Sequence, residues 1–93
     1  MEPELIRNPH TRRYVAKVDG RVIGFADYAV IDDVVVLPHT EVERESGGHG
    51  VGGQIVRFAL DDIRERGMSV DPVCPFVKRY IELHPEYADL VRK

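Results

Sequence analysis

The segment formed by residues 37–66 constrains the fold more than any other part of the chain. An apolar strand pattern and a polar turn lead into residues 47–53, five of which are glycine, and a helical pattern follows over residues 54–66. Glycine lets the backbone adopt a positive φ and approach a ligand closely. The first amides of a helix lack internal partners and lie at the positive end of its dipole. A strand, a glycine-rich loop and a helix in this order therefore predict a site for an anion such as phosphate.

Alternating residues before this segment predict an antiparallel meander. Residues 13–18 alternate, Asp19-Gly20 is a strong hairpin signal, and residues 21–30 return as a second strand. The third strand, residues 34–42, begins with a run that is apolar on both faces, as expected for a strand in the centre of a sheet. Pro38 interrupts this strand and predicts a bulge there. Residues 1–11, with two prolines, are expected to be extended or loose.

The residues after the glycine-rich segment predict one further strand and more helices. Gly67 is placed to end the long helix, and a short strand at 68–73 would lie parallel to the third strand. A second helix is expected over residues 76–83 and a third over residues 86–91. The predicted fold class is α/β (α+β), with a three-stranded antiparallel meander, a central helix, one further parallel strand and C-terminal helices, in a single domain of residues 1–93.

Charge and cysteine content narrow the classes of function. The chain has a net charge of −3 and no basic cluster, which argues against a nucleic-acid partner. No apolar run nears the ~20 residues that span a bilayer, so no membrane association is expected. The N-terminus lacks a signal-peptide pattern. The single cysteine, Cys74, can form neither an internal disulfide nor, alone, a structural zinc site. A cytoplasmic protein without a metal is therefore expected.

Two common phosphate-binding patterns do not fit the glycine-rich segment. The dinucleotide fingerprint requires a Gly-x-Gly-x-x-Gly spacing with an acidic partner about 20 residues later. The Walker pattern requires a Gly-Lys-Ser/Thr ending, which is absent here. The segment therefore predicts either a phosphate-bearing ligand held by backbone amides without a lysine, or simply a flexible connection.

The same segment resembles a known family. Gly50-Val51-Gly52 is similar to the second half of the acetyl-CoA pyrophosphate loop of GNAT acetyltransferases, Gln/Arg-x-x-Gly-x-Gly/Ala, although Gly47 stands where Gln or Arg is usual. Residues 39–42 (His-Thr-Glu-Val), 72–76 (Pro-Val-Cys-Pro-Phe) and 84–87 (His-Pro-Glu-Tyr) resemble motifs of a small single-domain, GNAT-like N-acetyltransferase group. The resemblance covers roughly residues 13–91. It implies that acetyl-CoA is the co-substrate, that the cysteine is a candidate catalytic residue, and that the amine acceptor is undefined.

The resemblance also assigns the cofactor-binding residues. The pantetheine arm is expected to pair with the backbone around Thr40 and Val42. The pyrophosphate is expected to lie against the glycine-rich residues Gly47, Gly48, His49, Gly50, Val51, Gly52 and Gly53.

Cys74 is a catalytic candidate on chemical grounds as well. Pro75 favours the first helical position, which places Cys74 at the N-cap beside unpaired amides that favour a thiolate. Cys74 also follows a strand, at the edge of the sheet where α/β folds bind ligands. The alternative is an inert buried cysteine.

Glu41 and His39 are the candidate general bases. On an alternating strand both side chains point to the same face, and transfer to an amine requires removal of a proton. The alternatives are a solvated Glu41 and a half-buried, hydrogen-bonded His39.

Together these features predict an acetyl-CoA-binding protein that moves an acetyl group to an amine of a protein or small molecule, either directly or through Cys74. The competing interpretation is a non-catalytic module that binds CoA or acyl-CoA, or acts as an adaptor.

Overall fold

Five strands form one sheet in the order in which they occur in the chain. The computed structural model describes residues 2–92, except for the side chains of residues 48 and 49. The strands are β1 (Glu4–Asn8), β2 (Arg13–Val18), β3 (Arg21–Ile31), β4 (Val34–Val42) and β5 (Ser69–Asp71). The first four are antiparallel, and β5 pairs with β4 in parallel. Helix α1 (Val51–Glu65) connects β4 to β5, and α2 (Pro75–Leu83) follows β5. The fold class predicted from the sequence is confirmed.

An N-terminal strand extends the expected three-stranded meander to four strands. Residues 1–11 were expected to be extended or loose; residues 4–8 are extended, but they form strand β1, which was not predicted and which pairs with β2 along its whole length. Pro3 and Pro9 flank β1 at the edge of the sheet, where a missing N–H is tolerated. Leu5 packs against the core, and the Arg7 Nε lies 3.4 Å from Asp62 of α1. The two prolines therefore mark the ends of a strand.

A bulge in β3 breaks the alternation predicted for it. Val22 pairs with Lys17 and Gly24 pairs with Ala16, so Ile23 is an extra residue between them. Ile23 is consequently buried in the core, whereas Val22 remains 45% exposed. A β-bulge reverses the face that a side chain occupies, which strict period-2 reasoning does not anticipate.

A second bulge opens the sheet at β4. Asp27 pairs with His39 and Ala29 with Val36, so Leu37 and Pro38 together oppose the single residue between the two β3 positions. The bulge predicted at Pro38 is therefore present. The pairing of β4 with β5 ends at Val36. Residues 39–42 consequently keep their pairing with β3 but extend beyond the end of β5.

The glycine-rich segment is more ordered than an open loop. Residues Arg44–His49 form a 3₁₀ helix, Gly50 adopts a left-handed conformation with φ 72°, and α1 begins at Val51. The expected start at Gln54 is thus three residues late, and Gly52 and Gly53 are helical. Sequence propensity disfavours glycine in a helix, but tertiary contacts described below require it.

The helices close one core with the sheet. One face of α1 is buried: Val51, Ile55, Val56, Ala59, Leu60 and Ile63. Gly67, with φ 69°, ends this helix, and the N–H groups of Gly67 and Met68 donate to the carbonyls of Arg64 and Ile63. This is the Schellman pattern, as predicted. Cys74 is the N-cap of α2, as expected, whereas the third helix is a 3₁₀ segment, Pro85–Leu90.

Candidate active site

A cavity of about 340 Å³ lies where β4 extends past the end of β5, between the first turns of α1 and α2. Its lining includes six residues assigned to a cofactor from the sequence and one that was not. They are Thr40, Val42, Gly47, Gly50, Gly52 and Gly53, together with Phe76. The free edge of β4 forms one wall, and the glycine-rich turn forms another.

The start of α1 presents amides at this cavity. The N–H of Gln54 donates to the carbonyl of Gly50 at 3.1 Å, so the amides of Val51, Gly52 and Gly53 precede the first α-helical hydrogen bond. The Val51 side chain is buried in the core, and therefore only its backbone can face a ligand. The backbone of Gly48 and His49 belongs to the 3₁₀ helix, whereas the His49 side chain lies outside the described part of the structure.

Glu43 holds the glycine-rich turn in place. Its N–H donates to the carbonyl of Ile23 at 2.9 Å, and its carboxylate accepts from the hydroxyl of Ser46 at 3.0 Å and pairs with Arg21. Ser46 is only 3% exposed. No sequence pattern predicts this arrangement, because Glu43 and Ser46 belong to a polar turn of ordinary composition.

Phe76 occupies the wall of the cavity and not the core. Helical spacing predicts Phe76 on the apolar face of the second helix together with Val77, but the Phe76 side chain is 45% exposed whereas Val77 is buried. A β-carbon on Gly52 would lie 2.9 Å from Cζ of the Phe76 ring. The first turn of α1 therefore needs glycine because α2 approaches it so closely.

Cys74 lies between β4 and α2, with its sulfur against Thr40. Its N–H donates to the carbonyl of Leu37 at 2.9 Å, at the β4 bulge, and its Sγ lies 3.7 Å from Oγ1 of Thr40. The side chain is 5% exposed. Burial raises the pKa of the Cys74 thiol, but hydrogen bonds from the Val77 amide, the Thr40 hydroxyl and the Phe76 amide outweigh it, so that the pKa is lowered. The thiolate is thus favoured relative to an ordinary cysteine.

Glu41 and His39 share one face of β4, as the alternation predicts, but it is the face opposite Thr40 and Val42. Their side chains lie 3.2 Å apart between Oε1 and Nε2, and both are more than half exposed. A second cavity of about 130 Å³ adjoins Glu41 and Glu43 and is walled by Val22, Ile23 and Phe25. Glu41 therefore lines a different opening from the glycine-rich turn, and His39 lies beside Glu41 on the same face of β4.

The described residues show neither a membrane-spanning helix nor a cluster of metal ligands. Within residues 2–92, no helix is both long and apolar enough to cross a membrane. Among the side chains that the structure describes, no group of three His, Cys, Asp or Glu residues is placed to hold a metal ion.

Comparison with known proteins gives matches over most of the chain. A family model described as GCN5-related N-acetyl-transferase matches residues 13–90. No curated protein matches the sequence. The NMR solution structure of a GCN5-like protein from Staphylococcus aureus superposes with a TM-score of 0.74 at 22% identity, over 98% of this chain and 89% of that one.

Two longer enzymes share the fold. An IAA acetyltransferase from Bacillus cereus matches with a TM-score of 0.53 at 28% identity, over 63% of this chain and 42% of that one. A ribosomal-protein-alanine N-acetyltransferase from Brucella melitensis biovar Abortus matches with a TM-score of 0.57 at 19% identity, over 87% of this chain and 62% of that one. The chain therefore spans less than two thirds of either enzyme.

Proposed function

The chain belongs to the GCN5-related N-acetyltransferase family, and from this premise we propose that it binds acetyl-CoA in the 340 Å³ cavity and transfers the acetyl group to an amine. The family match supports the reaction class. Acetyl-CoA binding, the type of acceptor and the involvement of Cys74 are the parts proposed here.

The observation that carries the proposal is the meeting of a free strand edge with a helix N-terminus. Residues 39–42 of β4 extend beyond β5, so their backbone is available to pair with the amide-containing pantetheine arm in the manner of a strand. Gly50, Gly52 and Gly53 line the same cavity, at the start of α1. This helix start favours a pyrophosphate.

The proposed chemistry has two routes that differ in the first nucleophile. In the direct route, the amine attacks the carbonyl carbon of acetyl-CoA, CoA leaves as a thiolate that takes up a proton, and a base removes a proton from the nitrogen. In the cysteine route, the Cys74 thiolate attacks first and CoA leaves. The amine then attacks the new thioester and regenerates the cysteine. The position of Cys74 at a helix N-cap, against Thr40 of the cavity wall, favours the cysteine route.

Glu41 and His39 are proposed as the proton acceptors for the amine. Their pairing at 3.2 Å orients the imidazole, and both are solvent-accessible. Because they lie across β4 from Thr40, this role requires the amine to approach from the side of the 130 Å³ cavity. One structural neighbour is named for IAA and another for the alanine of a ribosomal protein. The fold therefore supports acceptors of different size.

A non-catalytic CoA-binding module is the second candidate, and one observation favours it. Gly47 stands where the family pattern has Gln or Arg, so the cavity wall lacks that side chain. Weaker binding of the pyrophosphate would suit a sensor or adaptor in which turnover is not needed.

Mass spectrometry separates these candidates. The protein is incubated with acetyl-CoA alone and then with a mixture of small amines and peptides. An acetyl adduct on Cys74 that is absent in Cys74→Ser supports the cysteine route, and acetylated acceptor without an adduct supports the direct route. Saturable binding of acetyl-CoA with neither product would overturn transferase activity and favour the module.

A further inference from the structure

Thr40 contacts both the cavity and the sulfur of Cys74. Its side chain is half-buried in the cavity wall, and its Oγ1 lies 3.7 Å from Sγ of Cys74. Thr40 lies on the part of β4 that extends past β5. Cys74 therefore lies beside the stretch of β4 that β5 no longer covers.

The backbone of Cys74 is fixed on both sides. Its N–H donates to the carbonyl of Leu37 at 2.9 Å, and its carbonyl accepts from the N–H of Lys78 at 3.0 Å. With the backbone held, the direction of the sulfur depends on a single side-chain torsion with three staggered positions. In the position that the structure shows, the sulfur faces β4 and lies 3.7 Å from the Thr40 hydroxyl.

We propose that Thr40 is a positioning residue for Cys74: the Thr40 hydroxyl holds the sulfur against this part of the cavity wall and stabilises its thiolate form. A hydroxyl both accepts and donates, so Thr40 accepts the S–H of the thiol and, by rotation of its own O–H, donates to the thiolate. As a β-branched residue on a strand, Thr40 has a restricted χ1, and its hydroxyl is therefore held in place. The mechanistic value of this contact rests on the proposed function, because a poised thiolate serves the cysteine route.

The lowered pKa of the Cys74 thiol agrees with this geometry. Burial raises that pKa, and the donors that outweigh the burial include the Thr40 hydroxyl and the Thr40 backbone amide as well as the first amides of α2. A valine at position 40 would remove the hydroxyl and keep the shape and the backbone amide.

The test exploits the single cysteine of the chain. The ultraviolet absorbance of the Cys74 thiolate is followed as the pH is raised, for the whole chain. Each protein is compared with the same protein carrying Cys74→Ser, and subtracting this blank removes the tyrosine signal. Thr40→Val is expected to move the titration midpoint to higher pH and to lower the thiolate fraction near neutral pH roughly tenfold, because a hydrogen bond to an ionised group is lost. Thr40→Ser is expected to restore the midpoint. The matched control is Thr11→Val in the exposed turn before β2, which should leave the midpoint unchanged.

An unchanged midpoint in Thr40→Val, or a midpoint in Thr40→Ser as high as in Thr40→Val, would overturn the inference. Circular dichroism verifies folding, and Thr40→Ala, with the same expected shift, replaces any valine variant that does not fold. The titration requires no acetyl-CoA. A shifted midpoint in a protein that never acetylates Cys74 would therefore refute the cysteine route and leave the positioning role of Thr40 standing.

Discussion

A β-carbon on Gly52 would lie 2.9 Å from Cζ of Phe76, closer than side-chain carbons approach a neighbouring ring. Gly52 is the second residue of α1 and Phe76 is the second residue of α2, and both line the 340 Å³ cavity. The two helix starts are therefore packed so closely that the size of one residue sets the position of the other.

Gly52→Ala is expected to weaken acetyl-CoA binding while leaving the protein folded. Alanine is the better helix former, but its methyl group forces the half-exposed Phe76 ring to move within the cavity wall. Overpacking of this kind costs about 1–3 kcal/mol of folding stability, and a loss of about 1.4 kcal/mol of binding free energy from the displaced ring would appear in calorimetry as a roughly tenfold larger dissociation constant. Adding Phe76→Leu to Gly52→Ala should recover affinity. Strictly additive effects of the two substitutions would contradict a direct clash.

Gly50→Ala is expected to reduce both stability and affinity. Gly50 adopts a φ of 72° at the start of α1, and a left-handed conformation costs roughly 1–2 kcal/mol for a residue with a β-carbon. The matched control is Gly67→Ala, which has a φ of 69° at the far end of the same helix. Both variants should unfold at lower urea concentration, and only Gly50→Ala should bind acetyl-CoA more weakly. Equal affinities would exclude the turn from the site.

Gly47→Arg is expected to strengthen binding. Gly47 lines the cavity, has no positive φ, and no described neighbouring atom lies within 4 Å of a β-carbon added there. An arginine would bring its guanidinium to the pyrophosphate, and a charge-assisted contact at a solvent-exposed position should tighten binding about three- to tenfold. The gain should shrink as salt is added. Gly47→Glu should weaken binding by a similar factor; identical affinities for the two variants would contradict a phosphate at this position.

Tyr87 is expected to ionise far above the usual pH of a tyrosine. Burial, together with the 2.6 Å hydrogen bond that its hydroxyl donates to Asp61, raises the pKa of Tyr87 to about 12. Because the folded state retains this proton longer than the unfolded chain, whose tyrosine titrates near pH 10, the contribution to stability is complete below that pH. It is lost as the pH rises through about 12.

Spectrophotometric titration tests this pKa, with Tyr87→Phe as the comparison. The wild type should show a phenolate step near pH 12 that the variant lacks. If Tyr87→Phe instead removes part of the phenolate step near pH 10, then Tyr87 titrates normally. Its contact with Asp61 would then not persist in solution.

The order of the elements from β2 onward could be predicted because local signals and tertiary contacts agree. Asp19-Gly20 forms the expected hairpin, the Pro38 bulge and the Gly67 helix end are present, and Cys74 caps the helix that Pro75 begins. The family match confirms the resemblance that the glycine-rich segment and the three short motifs indicated.

The features that sequence reasoning missed are tertiary in origin. Ile23 enters the core because of a bulge, which is a property of two paired strands. Position 52 requires glycine inside a helix because Phe76 lies against it, a contact between residues 24 positions apart. Strand β1 was not predicted because Pro3 and Pro9, which flank it, usually indicate a loop. At the edge of a sheet a proline is tolerated, because its missing N–H has no partner there to lose. None of these follows from the period of a single segment.

The roles of the individual site residues are still predictions. The structure brings Thr40 and Val42 to the same cavity as Gly47, Gly50, Gly52 and Gly53. The side chains of Glu41 and His39 alternate with those of Thr40 and Val42 along β4, and they therefore lie on the opposite face of the strand. Which face the acceptor uses therefore decides whether these two residues act as bases, and a kinetic comparison of Glu41→Gln with His39→Gln would address that question.

Isothermal titration of the full-length protein with acetyl-CoA tests the central proposal most directly. We expect saturable binding at one site per chain, and a matching rise in melting temperature because the ligand binds only the folded state. Gly50→Ala should bind acetyl-CoA more weakly, whereas Gly67→Ala should bind it as the wild type does. Absence of both heat and thermal shift at millimolar acetyl-CoA would contradict the central proposal.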